Sequence, residues 1–213
     1  MIPVQVLSAR VIANVAPALA SALKLKPEQR SIALLTTDCD DATYIALDEA
    51  TKAAAVEVVY GRSFYAGAAN ASTRLAGEVI GILGARDPTQ AQSGLKAALD
   101  ILARLGFEKA NEVGDIVYLA HVVSASGNYL SQMAGVRPGT ALAYVIAPPM
   151  EAMEALDAAL KTADVQMGAF FAPPTETNFA GALLTGSQSA CEAACRAFAQ
   201  RVRRVADRPK DLG

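Results

Sequence analysis

Three groups of side chains in this sequence could carry chemistry: one histidine, three cysteines and a cluster of aspartates. His121 is the only imidazole, so it is the only side chain that could serve as the base of an acyl-transfer triad. It lies within Tyr118-Leu-Ala-His-Val-Val, an apolar run that is typical of a strand and contains no nucleophile-elbow pattern. The sequence therefore favours a structural imidazole over a catalytic base.

The three cysteines do not have the spacing of a metal site or of a disulfide framework. Cys191 and Cys195 are four residues apart, which places them on one face of a predicted helix together with Phe198 and Val202. This pattern favours small core residues over a redox pair or a thiolate metal site. The glycines at positions 77, 81 and 84 match neither the dinucleotide nor the phosphate-loop pattern. We therefore predict no catalytic residue, no metal and no cofactor.

The aspartates at positions 38, 40 and 41 follow a predicted buried strand, residues 31–37, where binding loops are common. Such a cluster alone is more often a solvated turn. Candidate partners for it are Glu78, Phe107, Thr177 and Asn178. Carboxylates together with an aromatic face would suit a small ammonium compound.

Composition excludes several classes of protein. The chain has 213 residues and is 53% hydrophobic but only 6% aromatic, with no tryptophan. Its net charge is -2 and no basic stripe occurs, so nucleic acid is not an expected partner. The uncharged stretch 11–23 is interrupted by Asn14 and Pro17 and is shorter than the roughly 20 residues that span a bilayer. We expect a soluble, cytoplasmic protein without a membrane partner.

Two segments of the chain repeat one helical pattern. Ala-Leu-Asp-Glu-Ala-Thr-Lys-Ala-Ala-Ala-Val at 46–56 matches Ala-Leu-Asp-Ala-Ala-Leu-Lys-Thr-Ala-Asp-Val at 155–165 in seven of eleven positions. Each copy separates an aspartate from a lysine by four residues, as in Asp48 and Lys52 or Asp157 and Lys161. On a helix this spacing places the opposite charges on one face.

The same order of elements surrounds both copies, which indicates a duplicated domain. Each half contains, in this order, a strand, the helix that carries Lys52 or Lys161 (the lysine helix), a second strand, a loop rich in Gly, Pro, Ser, Thr and Asn, a third strand and a second helix. The first strands are 31–37 and 140–147, the second strands 56–65 and 165–172, the loops 67–76 and 173–179, and the last helices begin near Pro88 and Ser187. Upstream, Arg10-Val-Ile corresponds to His121-Val-Val and Leu25-Lys-Pro to Val136-Arg-Pro. We predict an α/β (α+β) protein with domains 1–108 and 109–213.

The repeated Asp-x-x-x-Lys-x-x-x-Val helix resembles the signature of bacterial microcompartment shell proteins. Longer segments are similar to the ethanolamine-utilization type of that family, among them Asp40-Asp-Ala-Thr-Tyr-Ile-Ala-Leu-Asp-Glu-Ala-Thr-Lys and Leu184-Thr-Gly-Ser-Gln-Ser-Ala-Cys-Glu-Ala-Ala-Cys. Further similar segments are 56–69, 119–124, 147–152 and 176–179. The resemblance covers nearly the whole chain.

The resemblance implies two tandem, circularly permuted shell domains, each a small and mostly antiparallel sheet with flanking helices. Three chains would form a homotrimeric, pseudohexameric tile that joins other microcompartment shell proteins, with Lys52 and Lys161 at the tile edges. Loops 67–76 and 173–179 would gate a central pore for small molecules or cofactors.

Smaller pores within each subunit would bind ethanolamine. The residues that the resemblance implies for this are Asp40, Asp41, Glu78, Phe107, Thr177, Asn178 and Phe179. The alternative is a ligand-responsive regulatory binding protein for a small ammonium compound. An enzyme is the least favoured class, because the base, metal set and phosphate loop are missing.

Overall fold

The computed structural model describes residues 1–63, 79–113, 116–173 and 179–210. Along the chain the described strands are β1 (Ile2–Pro3), β2 (Val6–Ile12), β3 (Ser31–Thr37), β4 (Val56–Ser63), β5 (Val79–Ala85), β6 (Gly106–Lys109), β7 (Val117–Val123), β8 (Leu142–Ala147), β9 (Val165–Phe171) and β10 (Ala180–Gly186). The described helices are α1 (Pro17–Ala22), α2 (Asp40–Ala53), α3 (Pro88–Leu102), α4 (Asn128–Ala134), α5 (Pro149–Thr162) and α6 (Gln188–Asp207). The mixture of helices and antiparallel sheets confirms the predicted fold class.

The chain divides into two compact units. Unit 1 comprises Met1–Ile2, Gly106–Ser126 and Ser131–Gly213, and unit 2 comprises Pro3–Leu105 and Gly127–Leu130. The short segment Gly127–Leu130 thus belongs to unit 2, whereas its neighbours along the chain belong to unit 1. The predicted division into domains 1–108 and 109–213 stays a prediction.

Unit 2 is built on a four-stranded antiparallel sheet in the order β2-β3-β5-β4. Helices α2 and α3 pack against each other and against this sheet. Helix α3 begins with Pro88 after an N-cap, where the Asp87 carboxylate accepts a hydrogen bond from the backbone N–H of Gln90 at 2.9 Å. The predicted strand 31–37 and the predicted helix start at Pro88 are both confirmed.

Unit 1 contains the six-stranded sheet β1-β6-β7-β8-β10-β9, on which α5 and α6 pack. Ser187 caps α6 by accepting a hydrogen bond from the backbone N–H of Ala190, as its position predicts. The buried Cys191 and Cys195 lie in the core of this unit, together with Phe198 and Val202. Their predicted role as core residues is confirmed.

The duplication is visible in the positions of the elements. Strand β7 lies 111 positions after β2 at both ends, and the lysine helices α2 and α5 end at residues that are 109 positions apart. Each copy then continues with a strand, a third strand and a long helix in the predicted order. In the described part of the chain, no helix combines the length and the apolar character needed to span a bilayer.

Candidate functional site

Lys52 and Lys161 occupy equivalent positions, in the last turn of α2 and of α5 respectively. The Nζ atom of Lys161 lies 2.7 Å from Oδ2 of Asp157, which confirms the predicted pair in the second copy. In the first copy Lys52 forms an ion pair with Glu49, three residues before it. Glu49 has no acidic counterpart in α5, where Ala158 stands at the equivalent position. The two copies therefore use their repeated charges differently.

Asp48 is the reason for this difference. Its side chain is 1% exposed, and its carboxylate accepts hydrogen bonds from the backbone N–H of Gly127 at 2.6 Å and of Leu130 at 2.9 Å. Burial raises the pKa of Asp48, and these hydrogen bonds together with the charge of Lys52 offset only part of that rise. The sequence predicts an ion pair at this position, but the carboxylate caps the first turn of α4 instead.

Two further contacts hold the same segment on α2. The hydroxyl of Thr51 accepts a hydrogen bond from the backbone N–H of Asn128 at 3.1 Å, and the rings of Tyr44 and Tyr129 lie 6.0 Å apart between centroids. Tyr44, Asp48 and Thr51 are one helical turn apart, so they form a single face of α2. We call these three residues the docking face of α2. Gly127 is the sequence signal for it, because a glycine before a helix permits close backbone approach.

The aspartates after β3 form the start of α2 rather than a solvated turn. Asp40 and Asp41 are 6% and 7% exposed, and carboxylates in a first helical turn are favoured by the helix dipole. Asp40 accepts hydrogen bonds from the hydroxyl of Ser63 at 2.8 Å and from the backbone N–H of Asp41 at 2.9 Å. Asp38 accepts one from the backbone N–H of Gln5 at 2.7 Å. The cluster is therefore built into the fold of unit 2.

The aromatic candidates lie in unit 1. Phe107 is in β6 and Phe179 directly precedes β10, and their ring centroids are 5.5 Å apart. Glu78, Thr177 and Asn178 lie outside the described residues, as do loop 67–76 and positions 174–178 of the second predicted loop. The structure thus describes four of the seven residues that the resemblance assigns to ethanolamine binding.

His121 and the two cysteines of α6 lie in the strands and helices of unit 1. His121 is in β7, paired with Tyr144 of β8. Burial raises the pKa of Cys191, and it raises the pKa of Cys195 to about 12, so both thiols are protonated at neutral pH. Within residues 1–63, 79–113, 116–173 and 179–210, no group of three or more His, Cys, Asp or Glu side chains could hold a metal ion.

Comparison with known sequences identifies similar proteins over almost the whole chain. The bacterial microcompartment shell protein EutL of Clostridium perfringens (strain 13 / Type A) is 63% identical over 205 residues, which are 96% of this chain and 94% of that protein. EutL of Escherichia coli (strain K12) is 51% identical over 201 residues, with 94% of this chain and 92% of that protein covered. No protein-family model matches the chain.

Comparison with solved structures also identifies microcompartment shell proteins. A crystal structure of EutL from Clostridium perfringens has a TM-score of 0.96 at 62% identity and covers 99% of this chain and 96% of that one. The trimeric microcompartment shell protein PduB has a TM-score of 0.76 at 20% identity, with 95% of this chain and 89% of that chain covered. At this lower identity the similarity shows a shared fold and nothing further.

Proposed function

The chain belongs to the EutL family of bacterial microcompartment shell proteins, and from this premise we propose that three copies form a pseudohexameric tile with a gated central pore. The protein is a structural component of the shell of the ethanolamine-utilization microcompartment, and it is not an enzyme. We propose three properties in addition to family membership: the trimer, the gated pore and ethanolamine binding.

The duplicated lysine helix carries the proposal for the tile. Lys52 and Lys161 occupy equivalent positions in two units of similar construction, so three chains supply six such helices. A sixfold arrangement of similar edges is what a tile needs to join neighbours on every side. Tiles of this chain, alone or with other shell proteins, would meet at these lysines.

Electron microscopy of the purified protein tests the tile. We expect particles with hexagonal outlines that join edge to edge into sheets. A uniform preparation of particles without threefold or sixfold outline, across a range of protein and salt concentrations, would contradict the proposal.

The proposed pore uses loops 67–76 and 173–179. Selectivity in a pore comes from its width and from the charges and dipoles that line it, and a gate requires an element with two discrete arrangements. The composition of loop 67–76 supports such motion, because the loop begins with Gly67 and consists mostly of small residues, and glycine restricts the backbone little. Loop 173–179 begins with Pro173 and Pro174, whose rings fix φ, so its motion would lie in the polar residues that follow them. Small substrates or cofactors would pass when the loops are apart.

The proposed ethanolamine site combines acidic and aromatic side chains. Asp40 and Asp41 are carboxylates that folding has largely removed from water, and a cation nearby would offset the cost of burying them. The ring pair Phe107 and Phe179 supports the proposal with an aromatic face, which attracts an ammonium group. Glu78, Thr177 and Asn178 complete the proposed set.

Calorimetric titration of ethanolamine tests this site. We expect wild type to release heat with a saturable binding curve, and we expect Glu78→Ala and Asp41→Asn to lose most of that heat. Asp100→Asn is the matched control, because Asp100 is an exposed carboxylate in α3 that pairs with Lys96. Equal heats from wild type and Glu78→Ala would remove Glu78 from the site.

A ligand-responsive role for the same site has one observation in its favour. Asp40 accepts a hydrogen bond from Ser63, and Ser63 is four residues before the proposed gating loop at 67–76. A cation bound at Asp40 would compete for this carboxylate and so act on the start of the loop. Such coupling requires the two loop states to differ in affinity for ethanolamine. Protease cleavage within 64–78 should then change at saturating ethanolamine, and an unchanged rate would exclude the coupling.

A further inference from the structure

Helices α5 and α6 of unit 1 form a groove with a volume of about 270 Å³. We call it the α5–α6 groove, and the residues that line it are Ala158, Thr162, Ala197, Gln200, Arg201 and Arg204. A second groove, of about 500 Å³, follows α6 toward Arg208 and shares Gln200 and Arg204 with the first. The two grooves therefore adjoin at these two side chains.

The first copy shows which residues stand at the equivalent places. The buried positions 91, 94, 95, 98 and 102 of α3 recur at 191, 194, 195, 198 and 202 of α6, so a shift of 100 relates these two helices. A shift of 109 relates α2 to α5, which end at residues 53 and 162. The residues that line the groove therefore correspond, in the order given above, to Glu49, Ala53, Ala97, Asp100, Ile101 and Arg104.

The two sets of residues differ in charge. Two carboxylates and one guanidinium give the first set a charge of −1, whereas two guanidinium groups without a carboxylate give the second set +2. Ala158 replaces Glu49, Gln200 replaces Asp100 and Arg201 replaces Ile101, and each of these changes makes the second set more positive. The whole chain has a charge of −2, so the positive groove does not reflect a basic protein.

In the first copy the charges at these positions are matched locally. The carboxylate of Asp100 pairs with Nζ of Lys96 at 3.1 Å, and the carbonyl of Asp100 accepts a hydrogen bond from Nε of Arg104 at 3.1 Å. Glu49 pairs with Lys52. The equivalent positions of the first copy thus leave no excess of positive charge.

In the second copy the arginines are matched only in part. Arg201 pairs with Glu154 at 3.4 Å, and their side chains are 36% and 54% exposed. Arg204 forms no ion pair with any residue that the structure describes. The helix dipole favours a cation in the last turn of α6, where Arg204 lies, and Arg203 stacks over the ring of Tyr118 at 5.5 Å. Neither effect accounts for Arg201, which lies before the last turn and faces the groove.

We propose that the α5–α6 groove binds a chain of phosphate groups, as in inorganic triphosphate or the phosphate end of a nucleotide. Guanidinium groups donate paired hydrogen bonds to phosphate oxygens. Arg201 and Arg204 are three residues apart, about 4.5 Å along the helix axis, so both reach the same chain. The amide of Gln200 donates to a further oxygen. Ala158 and Ala197 offer no aromatic face, so the groove recognises phosphates and not a base.

This site goes beyond the proposed tile and is independent of it. All of its residues belong to unit 1 of a single chain. A longer phosphate chain would continue along the second groove toward Arg208. Neither the trimer, nor the pore, nor ethanolamine is needed for the anion to bind.

Calorimetric titration with inorganic triphosphate, at low ionic strength and without divalent cations, tests the site. We expect wild type to bind one triphosphate per chain. Arg204→Gln should weaken binding about tenfold or more, because it removes hydrogen bonds between charged groups. Glu154→Gln should strengthen binding about two- to fivefold, because it releases Arg201 from its ion pair. All of these side chains are at least partly exposed, so the variants should fold.

Arg104→Gln is the matched control. It removes the same charge from the equivalent position of the first copy and should leave the affinity unchanged. Equal weakening by Arg204→Gln and Arg104→Gln would show a response to net charge alone and would overturn the site. An absence of saturable heat from wild type would overturn it as well. A purely structural role of Arg204 would not make Glu154→Gln bind more tightly.

ATP distinguishes a phosphate site from a nucleotide site. ATP carries the same phosphate chain, so we expect it to bind with an affinity similar to that of inorganic triphosphate. If ATP binds more than about tenfold more tightly, the size of one base-stacking contact, then the nucleoside is recognised and the proposed class of ligand is wrong.

Chemical modification locates the bound anion without any variant. Phenylglyoxal reacts with exposed guanidinium groups, and peptide mass spectrometry reports the extent of reaction at each arginine. Saturating triphosphate should slow the reaction of Arg201 and Arg204, whereas Arg196, which is exposed on the same helix and pairs with Glu192, should react as before. Equal protection of Arg196 and Arg204, or protection of neither, would contradict binding in the groove.

Discussion

Replacing the buried Asp48 by alanine should destabilise the folded chain far more than replacing an exposed aspartate on a helix. The substitution leaves two buried backbone N–H groups, those of Gly127 and Leu130, without their acceptor. Loss of an N-capping aspartate costs about 1–2 kcal/mol, and hydrogen bonds to a charged group contribute about 1.5–3 kcal/mol each. Burial of the charge already consumes part of this gain, since it raises the pKa of Asp48. We therefore expect a net loss of about 2–4 kcal/mol.

Urea unfolding, followed by circular dichroism at pH 7 and a fixed protein concentration, measures this loss. Asp100→Ala is the control, because it breaks the exposed pair with Lys96 and should cost about 0.5 kcal/mol or less. Asp48→Asn keeps one oxygen acceptor and removes the charge, so its loss should be about half that of Asp48→Ala. Equal destabilisation by Asp48→Ala and Asp100→Ala would refute the capping role.

The pH dependence of Asp48 has a definite sign. Its pKa is raised in the folded chain above the usual aspartate value of 3.8, so the folded state binds the proton more tightly than the unfolded state. The stability that this group contributes is therefore fully present below pH 3.8 and is lost as the pH rises through the raised pKa. The stability of wild type relative to Asp48→Asn should increase on acidification from neutral pH toward that value. A difference that stays constant with pH would contradict the raised pKa.

Lys52→Asp and Lys161→Asp should weaken the joining of tiles into sheets, seen by electron microscopy, while the trimer mass stays unchanged; loss of the trimer would place these lysines elsewhere. Gly127→Ala should lower stability in urea by about 1–3 kcal/mol, because its methyl group would meet the carbonyl of Asp48; an unchanged midpoint would show that α4 can shift at no cost. Burial raises the pKa of Tyr129 to about 12, so its contribution to stability is lost as the pH rises from 10 through 12; Tyr129→Phe should flatten the fall in melting temperature over that range, and an equal fall would show that this phenol does not titrate there.

The duplicated architecture could be predicted from the sequence because its signals are local. The apolar run 31–37 specifies a strand, and Pro88 and Ser187 mark two helix starts, so each element is specified through its own residues. The equal order of elements in both halves then shows the repeat. None of these inferences needs knowledge of which element packs on which.

The different environments of Asp48 and Asp157 could not be predicted in the same way. Both are preceded by Ala-Leu and followed four residues later by lysine, so their local sequences predict the same helical pair. The carboxylate of Asp48 accepts hydrogen bonds from the backbone N–H groups of Gly127 and Leu130, which are 79 and 82 positions away, and no local pattern contains these contacts. The burial of Asp40 likewise depends on Ser63, which is 23 residues distant.

Sedimentation equilibrium of the wild-type protein over a tenfold range of concentration tests directly whether three chains assemble in solution. We expect a single species of about 66 kDa, three times the chain mass of 22.1 kDa. A species that remains at 22.1 kDa throughout that range would contradict it.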